Sequence, residues 1–144
     1  MPFTTTYTIR FDDVDGAGIL YYPRYFHLCH QTLEDAFATD GAPLSYPELI
    51  RDRRLGLPTV AIESGYRTPL EYGDTVAITL TVERIGASSM VLGFRIRREP
   101  DGTECFHARI TTVLIDLDTR TSTPFPDDLR SVFEGLGPGA ETVP

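Results

Sequence analysis

No lysine occurs among the 144 residues of this chain; all thirteen basic residues are arginine. Genome composition is cause enough for that bias, and no function is read from it. Set against 21 acidic residues, the arginines leave a formal net charge of -8 and a pI near 4.7. A general nucleic-acid binder meets phosphate with excess positive charge, so nucleic acid is excluded as a partner. An anionic small ligand stays compatible if arginines gather locally. Cysteine is scarce too. Cys29 and Cys105 lie far apart in apolar-patterned segments, in neither a CxxC nor a zinc-ligand spacing, and are expected to be buried free thiols. No apolar run approaches the roughly 18 residues of a membrane span. The opening MPFTTTYTIRF lacks the basic-then-apolar layout of a secretion signal. These absences lead to the expectation of a cytoplasmic protein that does not bind membranes. Enzyme signatures are missing as well: there is no GxSxG, no Walker A loop and no GxGxxG. His27, His30 and His107 have no metal-ligand spacing, so no metal is expected.

What is present fits one compact domain. With 41% hydrophobic and 24% charged residues, a chain of this length can bury a core without staples. Residues 5–12 read as a strand running into the turn-rich DDVDGAG. A helical pattern follows from Tyr22 to Ala38. At ~100° per residue, Tyr22, Phe26, Cys29, His30, Leu33 and Phe37 share one face, with Arg24, Gln31 and Asp35 opposite. Leu28 lies off this stripe, toward a neighbouring molecule. Gly41-Ala42-Pro43 ends the helix, and a second short helix is expected over residues 46–53. The period then changes to two. Residues 58–67, 74–85, 89–98 and 104–116 read as strands, most clearly DTVAITLTV, where Val76, Ile78, Leu80 and Val82 alternate with small or Thr residues. A short helix is expected over residues 127–134, before a frayed GPGAETVP tail. The order is α+β: a five-stranded antiparallel sheet with one long helix packed on it. Such a sheet keeps an open edge, which predicts pairing with a second copy.

The densest polar chemistry is FDDVDGAGILYYPRY, residues 11–25. Asp12, Asp13 and Asp15 precede Gly16, Gly18 and a helix start. A plain turn with a helix-capping aspartate accounts for this pattern; so does a reaction site. Glycines let a backbone approach a ligand closely, and a helix N-terminus offers free amide donors. A carboxylate beside such donors is the minimal kit for acyl transfer, one group to attack or activate water and one to hold an oxyanion. On the helix, His30 reads either as a satisfied core histidine or as a pocket-lining group. Glu34 reads as a flank residue in an i, i+4 contact with it.

This segment resembles the signature loop and helix start of the 4-hydroxybenzoyl-CoA thioesterase family. That family has the hotdog fold, a five-stranded antiparallel sheet wrapped around one long helix. Its loop reads roughly D-x-D-x-x-G-x-x-x-Y/H-x-x-x-Y/F, and Asp13, Asp15, Gly18, Tyr22 and Tyr25 or Phe26 match it. Residues 22–37, with Cys29-His30, are similar to the 1,4-dihydroxy-2-naphthoyl-CoA thioesterases of the same family. The likeness runs on through GLPTVAIESGYRTPLEYGD, residues 56–74, and covers residues 5–118 in all. It implies a hotdog thioesterase domain over residues 1–135, with residues 136–144 as a flexible tail. Asp15 is then the catalytic carboxylate, as nucleophile or general base, and the Tyr22 backbone amide is the oxyanion donor. Asp13 becomes a structural carboxylate that bonds loop amides. Gly16 and Gly18 let the loop pass the thioester. Phe26 and His30, near the helix start, suit a flat aromatic acyl group. The implied partner is a small acyl-CoA, with CoA part of the substrate and no cofactor. The implied assembly is a homodimer or homotetramer with its site at a subunit contact.

One departure stands out. The family's best-known member meets CoA phosphates with a basic cluster between its third and fourth strands, and here that turn reads ERIGASSM, with Arg84 alone. The nucleotide must be held elsewhere. Arg67, Arg95, Arg97 and Arg98 are candidates, set against the plain reading of each as a solvated strand face. Three alternatives stand beside acyl-CoA hydrolysis. A carrier-protein thioesterase is disfavoured by shared acidity. A hydroxyacyl-thioester dehydratase using His30 and Glu34 is disfavoured by the absence of a His-Phe-Pro loop. A non-catalytic acyl-thioester binder would bind without releasing thiol.

Overall fold

The computed structural model describes residues 1–38 and 44–137. Its strands and helices run in the order β1 (Phe3–Thr8), α1 (Arg24–Phe37), β2 (Leu55–Gly56), β3 (Thr59–Tyr66), β4 (Thr75–Ile85), β5 (Ser89–Glu99), β6 (Thr103–Val113), β7 (Ile115–Asp116), β8 (Thr121–Ser122) and α2 (Asp127–Gly135). Five strands form one sheet in the order β1-β4-β5-β6-β3, with every neighbouring pair antiparallel. The alternation in β4 explains its place near the centre. Val76, Ile78, Leu80 and Val82 are all buried, while Ala77, Thr79 and Thr81 are only partly covered. With side chains alternating across the pleat, one face of β4 is apolar and takes the helix.

Helix α1 buries Tyr25, Leu28, Cys29, Thr32, Leu33, Ala36 and Phe37. The expected stripe is therefore misphased by roughly 60° of helix rotation. Cys29, Leu33 and Phe37 belong to both sets. Leu28 is a core residue at 3% exposure, not a residue facing a neighbour. Tyr22 precedes the helix and is exposed, as is His30. The physical reason is polarity. The His30 imidazole reaches Glu34 at the surface, 2.8 Å away, whereas Thr32 can enter the core because its hydroxyl donates to the Leu28 carbonyl at 2.8 Å.

Other boundaries moved as well. The first strand ends at Thr8, and Phe11–Asp13 form a 3-10 turn. The second short helix is a π-type turn over Glu48–Asp52. The last long strand stops at Val113; beyond Leu114, β7 pairs with β2 and β8 in a separate small sheet that was not anticipated. Cys29 and Cys105 are buried and free, and burial pushes the Cys29 thiol up to about 12. The helix stop at residues 41–43 and the tail from residue 138 lie outside the described residues. The Leu136 carbonyl accepts a hydrogen bond from the Val82 N–H at 2.9 Å.

Strand β3 is an edge. Nearly all of it is exposed, including Val60 at 60%, Ile62 at 49% and Tyr66 at 48%. Through their pairing with Ile110 and Phe106, both buried on β6, Ile62 and Tyr66 share the helix side of the sheet.

Candidate active site

The loop joining β1 to α1 is anchored from its first residue. The Ile9 N–H donates to the Asp74 carbonyl at 2.8 Å, and the Ile9 carbonyl accepts from Gly73 at 2.9 Å. Asp13 is buried at 5% exposure. Its Oδ2 accepts from the Tyr7 hydroxyl at 2.7 Å and the Arg10 N–H at 2.8 Å, and the Arg24 guanidinium lies 3.9 Å from Oδ1. Burial first, then the bond to Asp13, pushes the Tyr7 phenol above its ordinary value. Asp13 thus bonds a loop amide, as its structural reading requires.

Beyond Asp13 the chain doubles back. Val14 pairs with Leu20. The Asp15 N–H donates to the Ile19 carbonyl and the Tyr21 N–H to the Asp13 carbonyl, each at 3.0 Å. The tip closes where the Gly18 N–H meets the Asp15 carbonyl at 2.9 Å, with Gly18 at φ +83°. That backbone region favours glycine. At Gly16 an added Cβ would meet nothing within 4 Å, so the tip is open there. Asp15 is exposed on this tip, and its Oδ1 accepts from the Ala17 N–H at 2.8 Å. Leu20 ties the returning arm to Leu70 by a 2.7 Å backbone bond.

Tyr22 follows, just before Pro23 and α1. Its N–H has no hydrogen-bond partner among the described residues. Its carbonyl accepts from the Tyr66 hydroxyl at 2.9 Å. The loop and the end of β3 border a half-open cavity of about 150 Å³ lined by Ile19, Leu20, Tyr22, Tyr25, Tyr66, Arg67, Thr68 and Pro69. Tyr25 and Tyr66 meet edge to face at 5.0 Å between centroids, and both rings lie within 5.0 Å of Phe106. Burial pushes the Tyr25 phenol up to about 12, so it stays a neutral donor at neutral pH.

Of the residues singled out from sequence, Tyr22 and Arg67 share this cavity, with Asp15, Gly16 and Gly18 on the adjoining tip. Phe26 is partly buried behind it, edge-on to Phe106 at 5.4 Å. His30 is not brought there within one chain. It lies with His27, Gln31, Glu34 and Asp35 around an open depression of about 400 Å³ on the outer side of α1. That hollow is larger, but one helix supplies all its side chains, and it has no free loop amide. Tyr66 was missed in the sequence reading. Its signal was the spacing of Ile62, Ser64 and Tyr66, a single strand face ending beside Arg67-Thr68-Pro69.

A five-stranded antiparallel sheet packed against one long helix is the hotdog arrangement. The sequence matches the Thioesterase-like superfamily over residues 9–133, and the chain belongs to that family. It is 35% identical over 118 residues to the 1,4-dihydroxy-2-naphthoyl-CoA hydrolase of Prochlorococcus marinus strain NATL2A, spanning 78% of this chain and 75% of that one. The crystal structure of a 1,4-dihydroxy-2-naphthoyl-CoA thioesterase from Synechocystis superposes with a TM-score of 0.85 at 24% identity, covering 94% of this chain and 98% of the other. A Staphylococcus aureus protein solved in complex with CoA gives a TM-score of 0.85 at 21% identity, covering 100% and 90%.

Proposed function

We propose that the chain hydrolyses aromatic acyl-CoA thioesters, with Asp15 as nucleophile or general base and the Tyr22 N–H as oxyanion donor. The observation that carries this is the unpaired Tyr22 amide, its own carbonyl held by Tyr66, at a cavity walled by tyrosines. As general base, Asp15 takes a proton from water while the water oxygen adds to the thioester carbonyl. As nucleophile, it attacks that carbon itself, and water then cleaves the mixed anhydride. In both routes the carbonyl oxygen becomes an oxyanion facing the Tyr22 N–H. The C–S bond breaks, and the CoA thiolate leaves and takes up a proton. A thiolate leaves readily, so this route calls for no metal or redox cofactor. Among the described residues no helix is long and apolar enough to cross a membrane, and a cytoplasmic setting suits a CoA substrate.

Aromatic walls select flat acyl groups. Ring contacts are worth roughly 0.5–1.5 kcal/mol beyond burial, up to about tenfold in selectivity. A thiol-release screen over acyl-CoAs should therefore give a higher kcat/KM for benzoyl- or naphthoyl-CoA than for palmitoyl-CoA. Faster hydrolysis of palmitoyl-CoA would end the aromatic reading, and no thiol release from any acyl-CoA would end the hydrolase reading.

Tyr66 acts through Tyr22 as a positioning residue. Tyr66→Phe keeps the ring but frees the Tyr22 carbonyl, and a lost hydrogen bond of this kind corresponds to a fall in kcat of about 3–10-fold. KM and the melting temperature should hardly move. A change confined to KM would assign Tyr66 to substrate binding instead.

The exposed β3 edge supports assembly as a homodimer or homotetramer with the cavity near the contact. An unpaired edge carrying Val60, Ile62 and Tyr66 is a template for a second copy. Light scattering should give at least twice the 16.0 kDa chain mass, and Ile62→Lys should shift the protein to monomers. A fully active wild-type monomer under assay conditions would contradict the assembly.

A further inference from the structure

We propose that Arg67, Arg95 and Arg97, on the outer face of the sheet, form the site for the phosphates at the nucleotide end of the CoA substrate. The identity of that ligand rests on the thioesterase reading; the site itself rests on charge and register. Glu104 bridges two guanidinium groups, with Arg67 Nε 3.2 Å from its Oε2 and Arg95 bonded to its Oε1. Arg97 stands opposite Glu104 in the β5–β6 register, yet makes no ion pair among the described residues. Arg67 and Arg95 thus share one carboxylate, and Arg97 stands beside them without an ion pair, a local surplus of guanidinium groups on a chain of net charge -8.

The other arginines of this region are taken. Arg109 is held by Glu83 at 2.8 Å, whose carboxylate lies over Gly93, where an added Cβ would come within 2.1 Å of it. Arg98 is paired with Asp101 at 3.0 Å. On the β4 side, Ala77 stands opposite Arg97 and Thr79 opposite Arg95, so short side chains leave the guanidinium groups open. The shared carboxylate holds Arg67 and Arg95 in place without neutralising the cluster, and planar guanidinium groups suit phosphate oxygens.

Arg67 joins this cluster to the reaction centre. It lines the cavity beside Tyr22 and Tyr66, and its guanidinium reaches Glu104 on the outer face. A ligand with its thioester at the Tyr22 amide and a flexible arm passing the end of β3 meets these arginines next. The family's basic turn, represented here by Arg84 alone, lies at the opposite end of β4, where Arg84 makes no ion pair among the described residues.

The probe is adenosine 3',5'-bisphosphate, which carries the nucleotide end of CoA without thiol or acyl group. Calorimetric titration should show binding to the wild-type protein. Loss of a charge-assisted phosphate contact should weaken it about tenfold in Arg97→Ala and further in the Arg95→Ala/Arg97→Ala pair. Arg84→Ala should bind like wild type. In kinetics, the double variant should raise KM for benzoyl-CoA at least about tenfold more than for the benzoyl thioester of N-acetylcysteamine, which lacks the nucleotide. Several results overturn the site: no binding of the bisphosphate by wild type, weakening by Arg84→Ala instead of Arg97→Ala, or equal KM changes for the two thioesters. So does a loss confined to an acyl-carrier-protein thioester, which would assign the cluster to an acidic protein. If no acyl-CoA releases thiol but bisphosphate binding depends on Arg95 and Arg97, the site stands and only the hydrolase reading falls.

Discussion

Asp15→Asn is expected to lower kcat by at least ~100-fold, the lower range for a positioned acid–base group, with the melting temperature nearly unchanged. The substitution keeps side-chain size and an oxygen that can accept from the Ala17 N–H, now bonded to Oδ1 at 2.8 Å. It removes the negative charge, and with it both proposed roles. An asparagine neither takes a proton from water nor attacks a thioester as a carboxylate does. Because Asp15 is exposed on a glycine-containing tip and supports no core contact, the fold should not register the change. Stopped thiol-release assays on benzoyl-CoA, with a thermal melt of the same sample, separate the two effects. Near-normal kcat would remove Asp15 from the chemistry. Attention would then turn to Glu34, whose Oε2 lies 2.8 Å from the His30 ring.

The parts of the fold that could be read in advance are those where a local period matches the burial. In β4 the apolar residues fall at every second position, so the strand, its buried face and its hairpin with β5 were all legible. Helix α1 was harder. Tyr22, Phe26 and His30 sit at helical spacing with the true core residues, and hydrophobicity does not distinguish a side chain that packs from one that finds a polar partner at the surface. Thr32 shows the converse, a polar residue made fit for the core by its own backbone contact. The β2–β7–β8 sheet was not legible at all, because two-residue strands carry no period; tertiary placement alone makes them pair. At the site, the loop residues Asp13, Asp15, Gly18 and Tyr22 stood out as one motif. Tyr66 lies 44 positions from Tyr22, and only the folded chain brings its hydroxyl to that carbonyl.

Asp13, two residues from Asp15, should behave in the opposite way. Asp13→Ala removes an acceptor shared by the Tyr7 hydroxyl and the Arg10 N–H, and leaves Arg24 facing no carboxylate at that position. A buried donor left without an acceptor costs about 1–3 kcal/mol, so two of them suggest about 3 kcal/mol after partial relaxation toward water. For a chain of this size that is a fall in melting temperature of roughly 10 °C. Asp13→Asn should lose less, since an amide oxygen in the Oδ2 position can still accept both bonds, while the nitrogen in place of Oδ1 faces the Arg24 guanidinium. Measured well below the melting transition, Asp13→Ala should retain more activity than Asp15→Asn, because its carboxylate is spent on Tyr7 and Arg10 and is not free to face a substrate. Thermal melts and initial rates on both variants test this directly. If Asp13→Ala melts like wild type and loses activity, while Asp15→Asn is destabilised and active, the two carboxylates have been assigned the wrong way round.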